Sequence, residues 1–393
     1  MGIEFKVTKP IYDKSLAIED WQDPKWQLRF SLKKKEDFAR YFRLSKQEEE
    51  AFDKGSQFNV QTTPYYASLA KDHPEDPIRK IFMPNALELE DQFQRMLDPL
   101  DENNNRPSQR IIHRYPDRCL FLVTDYCNVY CRYCTRKHFT GKEQVFPKKD
   151  EYQSGLDYIR NTPKIREVIL SGGDPLSLSD NRLEQVLKDL REIPHIEIIR
   201  IGSRIPVVNP FRITEELAKV LKKYKPVYLM THFNHPREIT RESAEALERI
   251  VDHGTPVFNQ MVLLNGVNNH PAIIQALSRR LLYLRVKPYY MFQCDPSEGS
   301  DYLRTSIEDS LEIQKHLWGK VSGLMMPNYS IDIPGGGGKT SMVPNHQINH
   351  EGNTRTFKGF DGKIRQYISP SKQNIKKPMD VESYQQEWDL LNS

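Results

Sequence analysis

The stretch CLFLVTDYCNVYCRYCTRKHF, residues 119–139, decides how this chain is read. Its first part, Leu120 to Thr124, has the length and the β-branched and aromatic content of a buried strand. Its second part carries Cys127, Cys131 and Cys134 in the spacing C-x3-C-x2-C. Three thiols thus sit just past the C-terminal end of a strand, where parallel α/β folds assemble their sites. Three thiolates on one short loop suit a [4Fe–4S] cluster with one iron left free of protein ligands. A structural zinc site needs four ligands, and no cysteine or histidine pair at standard spacing supplies the fourth. His138 lies nearby and keeps zinc as the lesser alternative.

Outward from this stretch the pattern is regular. Apolar, β-rich runs follow at EVILSGGD (167–174), IEIIRIGS (196–203), PVYLMTHFN (226–234), TPVFNQMVLL (255–264) and LRVKPYYMFQ (284–293). Amphipathic helices separate most of them. Leu183, Val186, Leu187 and Leu190 share a face behind Asp180 as cap; Leu217, Val220 and Leu221 do so behind Thr214. The helix that begins near Ile239 is expected to stop at Gly254. The runs are continuously apolar, as expected of strands covered on both faces. Six βα units roughly 30 residues apart predict an α/β fold with a parallel sheet, and spacing alone does not choose between a doubly wound sheet and a barrel. Residues 1–105 read as a helical, charged region, with Ser45 and Glu48 forming a capping box. A polar, turn-rich linker at 98–110 leads into a main domain at 106–327. Residues 328–393 read as a looser, glycine- and proline-rich C-terminal segment.

The 393 residues are 38% hydrophobic and carry a net charge of +4 with both signs interleaved, which gives no footprint for nucleic acid. The opening MGIEFKVTKP has no apolar leader, and no run approaches the ~20 apolar residues of a membrane helix, so the expected location is cytoplasmic. Five cysteines, three of them crowded together, are no disulfide framework.

The stretch SIDIPGGGGKTS, residues 330–341, ends four glycines with Lys339 and Thr340. A phosphate loop would need a glycine where Ile333 stands, so that reading fails on spacing. A lysine at the end of a pliant run can approach a flat cofactor, and lysine forms a Schiff base with pyridoxal 5′-phosphate (PLP). For an isolated glycine-rich stretch, a flexible loop ending in a solvated lysine is the simpler reading.

C-x3-C-x-aromatic-C followed by LSGGDP at the next strand end resembles the radical S-adenosylmethionine (SAM) superfamily. Over residues 20–370, HRYPDR, CTRKHF, LSGGDP, IRIGSRIPVV, THFNHP, KPYYMFQCD and DIPGGGGKT together resemble the lysine 2,3-aminomutase family. The resemblance implies a partial (βα)6 TIM-like barrel holding cluster, SAM and PLP in one cavity. It implies Cys127, Cys131 and Cys134 as cluster ligands and Lys339 as the PLP lysine, with Arg118 and Tyr115 at the PLP phosphate. Tyr133, Gly172, Gly173, Asp174, His232 and Gln260 would line the SAM site. Arg136 would pair with the substrate carboxylate, and Asp295 and Asp332 would hold the distal ammonium. The implied activity is that of an isomerase, an L-lysine 2,3-aminomutase moving the α-amino group to Cβ through a 5′-deoxyadenosyl radical and a PLP Schiff base. The alternatives are a family member acting on arginine, glutamate or a lysine of elongation factor P, a radical SAM enzyme without PLP, or a non-enzymatic metal module. Paired aspartates disfavour glutamate. Well-studied relatives add an intersubunit zinc site, but His270 stands where they have cysteine and no cysteine follows Cys294, so zinc is not expected. A homo-oligomer, a flavodoxin- or ferredoxin-type reductant and an amino acid substrate complete the expected partners.

Overall fold

The computed structural model describes residues 3–10, 16–56, 58–90, 95–141, 145–370, 378–379 and 381–392. Nine strands form one sheet in chain order: β1 (Ile111–Tyr115), β2 (Arg118–Thr124), β3 (Glu167–Gly172), β4 (Ile198–Gly202), β5 (Val227–Thr231), β6 (Val257–Leu263), β7 (Val286–Gln293), β8 (Asn328–Ile333) and β9 (Gly338–Ser341). Strands β2 to β8 are parallel, and β1 and β9 run antiparallel at the two edges. Crossovers carry α1 (Lys149–Arg160), α2 (Asp180–Arg191), α3 (Glu215–Lys223), α4 (Arg241–Asp252), α5 (Pro271–Tyr283) and α6 (Ile307–Leu317).

This order settles what spacing left open. A doubly wound sheet reverses its strand order at a switch point, whereas strictly sequential parallel strands put every helix on one face and curl the other face inward. The result is a partial barrel of six βα units extended by a seventh parallel strand. Its edges approach through side chains: Arg114 on β1 pairs with Asp332 on β8 at 2.8 Å, and the Lys339 N–H on β9 donates to the Tyr115 hydroxyl at 2.9 Å.

The strands are covered differently from the sequence expectation. In β3, Val168, Leu170 and Gly172 are buried while Glu167, Ile169 and Ser171 are half-buried and face a cavity inside the curl; β6 alternates in the same way. One face packs on helices and the other lines the site, so the inward positions tolerate polar residues.

Capping follows the sequence with one correction. Thr214 accepts from the Leu217 N–H at 3.2 Å, Ser45 and Glu48 form their box, and Gly254 follows α4 at φ +85°. For α2 the cap is Ser179, whose hydroxyl accepts from the Arg182 N–H; Asp180 is the first helical residue and pairs instead with Arg212 at 2.6 Å.

The described residues before β1 form short helices that pack on the main domain. Trp21, Phe38, Tyr65, Tyr66 and Phe82 are fully buried and join the barrel core. Residues 328–341, read from sequence as part of the C-terminal segment, are the last two strands of the main sheet. A separate antiparallel sheet follows, β10 (Gln347–Glu351), β11 (Thr354–Lys358) and β12 (Ile364–Ile368), then α7 (Val381–Asn392).

Candidate active site

The loop after β2 is built by contacts from both sides. Gln61 Nε2 donates to the carbonyls of Cys127 (3.0 Å) and Asn128 (3.3 Å), and its own carbonyl accepts from Tyr130 N–H. Arg132, fully buried, pairs with Glu88 through Nε at 2.7 Å and donates to the Asn59 carbonyl. From the barrel side, Gly173 N–H donates to the Thr124 carbonyl (2.7 Å) and Asp174 N–H to that of Tyr126 (2.8 Å). Gly172 sits at φ +112°, and a Cβ on Gly173 would stand 2.3 Å from the Tyr126 carbonyl oxygen. Only glycine lets β3 end so close to the cysteine loop.

Cys127, Cys131 and Cys134 are free thiols on the wall of one cavity of about 630 Å³. Burial, with Asp174 and the other two thiols close by, pushes Cys127 well above its usual range; burial and Cys131 push Cys134 up. Such thiols call for a positively charged group to bind as thiolates. Among the described residues no three Cys, His, Asp or Glu side chains converge on a single-ion site. His138, the sequence alternative for a fourth zinc ligand, pairs with Glu298 at 3.0 Å and packs edge-on against Phe58. Arg204 Nη1 donates to Cys131 Sγ at 2.8 Å, and its Nη2 is held by Glu238 and the Tyr66 hydroxyl.

Tyr133 and His232 stack beside this loop with ring centroids 5.6 Å apart, and the Tyr133 hydroxyl accepts from Asn234. Burial and Arg204 bring His232 down to about 3, so its ring is neutral at ordinary pH, and its Nε2 is a buried polar atom without a protein partner. An orphaned polar atom on a cavity wall fits a ligand that supplies the missing hydrogen bond. Gln260 reaches the same cavity from β6. Asp174 lines the same cavity and its carboxylate accepts from Ser203 Oγ (2.6 Å), Arg204 N–H (2.6 Å) and Leu176 N–H (3.1 Å). Those bonds fix the glycine turn.

The Lys339 region is a hairpin. Pro334 to Gly337 make the turn between β8 and β9, with Gly335 at φ +74°, Gly336 at +83° and Gly338 at +80°. The glycine run therefore buys a left-handed turn. Asp332 and Lys339 become direct cross-strand partners, and Lys339 Nζ lies 2.8 Å from Asp332 Oδ2. Asp332 Oδ1 is taken by Arg114. Asp295, past the end of β7, faces this pair; burial and the Asp332 carboxylate lift it to about 7. Arg118 lies 4.0 Å above the Tyr115 ring. Arg200 on β4 pairs with Glu167 through Nη2 and Arg118 with Asp117 through Nη1, while the buried Nε of Arg200 has no protein partner and fits a hydrogen-bond acceptor.

Between the cysteine loop and the lysine hairpin stands Arg136. Its Nη1 donates to Ser171 Oγ at 2.9 Å, and its Nε and Nη2 grip the Glu102 carboxylate at 2.6–3.0 Å. The Arg136 peptide N–H donates to Cys134 Sγ, tying the guanidinium to the thiol loop.

Every residue that the family resemblance assigns to the site lines this one cavity. It can hold a carboxylate at Arg136, an ammonium at Asp295 and Asp332, an amine-bearing Lys339 and a thiolate-ligated group together. Sequence reading missed Glu102, Ser171, Arg114, Arg200 and Arg204. Arg114, Ser171, Arg200 and Arg204 lay inside quoted motifs, HRYPDR, LSGGDP and IRIGSRIPVV; Glu102 had no signal, being one acidic residue in a polar linker.

Comparisons with known proteins agree with this geometry. Residues 121–275 match the model of the radical SAM superfamily, and residues 314–389 match that of lysine-2,3-aminomutase. The chain is 45% identical to the L-lysine 2,3-aminomutase of Clostridium subterminale, covering 91% of this chain and 86% of that one. It is 43% identical to the L-lysine 2,3-aminomutase of Methanococcus maripaludis over 93% of this chain and 86% of the relative. It is also 41% identical to the glutamate 2,3-aminomutase of Clostridioides difficile over 91% and 85%. Radical SAM membership implies a [4Fe–4S] cluster and SAM. The cavity meets that requirement with three thiols on one loop and an imidazole beside them whose Nε2 has no protein partner, and the chain belongs to the lysine 2,3-aminomutase family of the radical SAM superfamily.

Proposed function

We propose that this chain is an L-lysine 2,3-aminomutase, an isomerase that moves the α-amino group of L-lysine to Cβ to give L-β-lysine. The observation that carries the substrate is the presence, on the wall of one cavity, of a guanidinium at Arg136 and two carboxylates, Asp295 and Asp332. The relatives named as acting on lysine support the same reading.

Cys127, Cys131 and Cys134 would hold the cluster, while Tyr133, His232, Gln260 and the Gly172–Gly173 turn line the SAM site. Lys339, Arg118 and Tyr115 would hold PLP. When bound, the cluster and SAM supply a hydrogen-abstracting carbon radical and PLP supplies the carrier for the migrating nitrogen. The protein's part is to bind and orient. Arg136 offers a planar fork to a carboxylate, and Ser171 fixes its plane. Asp295 and Asp332 set the distance at which a distal ammonium can be held, which selects against an acidic side chain. Arg114 keeps Asp332 aimed into the cavity. His232 stays neutral, adding no repulsion beside a cationic ligand. The curled sheet and the residues before β1 exclude water from the centre.

Among the described residues no helix is long and apolar enough to cross a membrane. A flavodoxin- or ferredoxin-type reductant, a homo-oligomeric state and a cytoplasmic site of action complete the proposal.

The test is an anaerobic assay of cluster-reconstituted protein with PLP, SAM and dithionite, offering L-lysine, L-arginine and L-glutamate separately. β-Lysine as the main product is expected. Turnover of only arginine or glutamate would overturn the role given to Asp295 and Asp332.

A further inference from the structure

Residues 98–105 form a strap over the rim of the cavity. Asp98 accepts from the N–H groups of Glu102 (2.9 Å) and Asn103 (2.8 Å), and Asn105 Nδ2 donates to the Asp101 carbonyl at 2.8 Å. Outside contacts pin the strap to the site: Gly335 N–H donates to the Pro99 carbonyl (3.1 Å), and Arg114 Nη1 to that of Leu100 (3.0 Å). From this strap Glu102 reaches inward. Its side chain is 12% exposed and that of Arg136 is 19% exposed, so this is a largely desolvated ion pair.

We propose that Glu102 is the resting occupant of the subsite for the substrate's α-carboxylate, and that the substrate carboxylate takes its place and releases the strap. The inference deepens the reading of Arg136 given above and depends on it. A carboxylate is gripped by one edge of a guanidinium in a two-point fork, and Glu102 already uses the Nε–Nη2 edge while Ser171 takes Nη1. A free guanidinium here would be a buried, unpaired charge, and Glu102 supplies the carboxylate that neutralises it. Two carboxylates on one guanidinium would leave a net negative charge in the same desolvated place, so they exclude each other. Glu102 is a specificity-determining residue on this account. A ligand must bring a carboxylate able to outcompete a tethered one, and a simple diamine cannot open the site.

Hydrogen exchange followed by mass spectrometry on reconstituted protein with PLP and SAM, but no reductant, tests this without turnover. L-Lysine is compared with 1,5-diaminopentane, which has the same amines and no carboxylate. Exchange over residues 99–105 is expected to rise several-fold with L-lysine and to stay unchanged with the diamine. In Glu102→Gln the strap should exchange faster without ligand, and the Kd for L-lysine, from the PLP absorbance shift, should fall on the order of tenfold, as expected if the Arg136-free state is about a tenth populated. If L-lysine shifts the absorbance and strap exchange is unchanged or slower, the substrate binds with Glu102 in place and the proposal fails. If L-lysine produces neither an absorbance shift nor protection in the cavity, the reading of Arg136 fails first and takes this inference with it.

Discussion

Asp295→Asn tests the distal end of the site through its pH dependence. In the free protein, burial and the facing Asp332 carboxylate raise Asp295 from the usual 3.8 to about 7. At pH 6 only about one Asp295 in ten is then ionised, and only the ionised form holds an ammonium by charge. The profile of kcat/KM reports groups of the free enzyme. For L-lysine it is therefore expected to be level above about pH 8 and to fall toward about tenfold per unit below pH 7. The sign follows from the raised carboxylate: protonation on the acid side removes the binding form, and a bound ammonium pulls the pKa back down. Asparagine neither titrates nor carries charge, so the variant should show no break near pH 7. Its plateau should lie roughly 10- to 150-fold lower, the equivalent of one charge-assisted hydrogen bond of about 1.5–3 kcal/mol. The assay is initial-rate β-lysine formation under anaerobic conditions from pH 6 to 9 at constant ionic strength. If the break persists in Asp295→Asn, another group titrates. If kcat/KM at pH 8 is unchanged, Asp295 does not face the ammonium, and the substrate argument collapses.

Three further outcomes are expected. Lys339→Ala should lose the visible absorbance of a lysine–PLP imine while keeping its iron and sulfide; a surviving band would mean that another lysine holds the cofactor. Gly173→Ala must push the Tyr126 carbonyl away at a cost of about 1–3 kcal/mol, and its iron content after reconstitution should fall, whereas Gly202→Ala, whose Cβ would meet nothing nearer than 3.7 Å, should load normally. Glu88→Gln leaves the fully buried Arg132 without its counter-charge and should destabilise the protein by about 3–5 kcal/mol in denaturant titration; a loss below 1 kcal/mol would show that the pair does not anchor the cysteine loop.

The sequence was most legible where the physics is local. Strands β2 to β7 announced themselves because their helix-facing residues are large and apolar, and Thr214 and Gly254 because caps are read within one turn. Strands β8 and β9 were read as a loose tail because NYSIDI alternates: Asp332 turns into the cavity while Tyr329 packs in the core. The glycines that looked like slack are a defined left-handed turn. Inward-facing Arg118, Glu167 and Arg200 are polar for the same reason, so the apolar reading of the strands described only their helix side. Long-range partners left no trace at all. Arg204 meets Cys131 across 73 positions and Arg136 meets Glu102 across 34, and neither separation has a local pattern.

The two ends of the cavity show what those distant pairs have in common. Arg136 holds a carboxylate from Glu102, and Asp332 holds an ammonium from Lys339. On the proposed assignment, these two ion pairs fill the substrate's two charged subsites with side chains of the substrate's own chemistry. Each substitution keeps a partly buried charge paired, and each must be undone before lysine can bind at both ends. At the distal end the count is two carboxylates, Asp295 and Asp332, against Arg114 and Lys339, so a second ammonium gains little while Lys339 stays ionised there. Once the Lys339 nitrogen is no longer a cation beside Asp332, the remaining three groups carry one net negative charge, and a single distal ammonium balances it. On the proposed assignment, selectivity for a monocationic side chain would follow from where Lys339 is, and a double-mutant cycle between Asp332→Asn and Lys339→Ala on L-lysine Kd should show strong coupling, with additivity refuting a shared subsite.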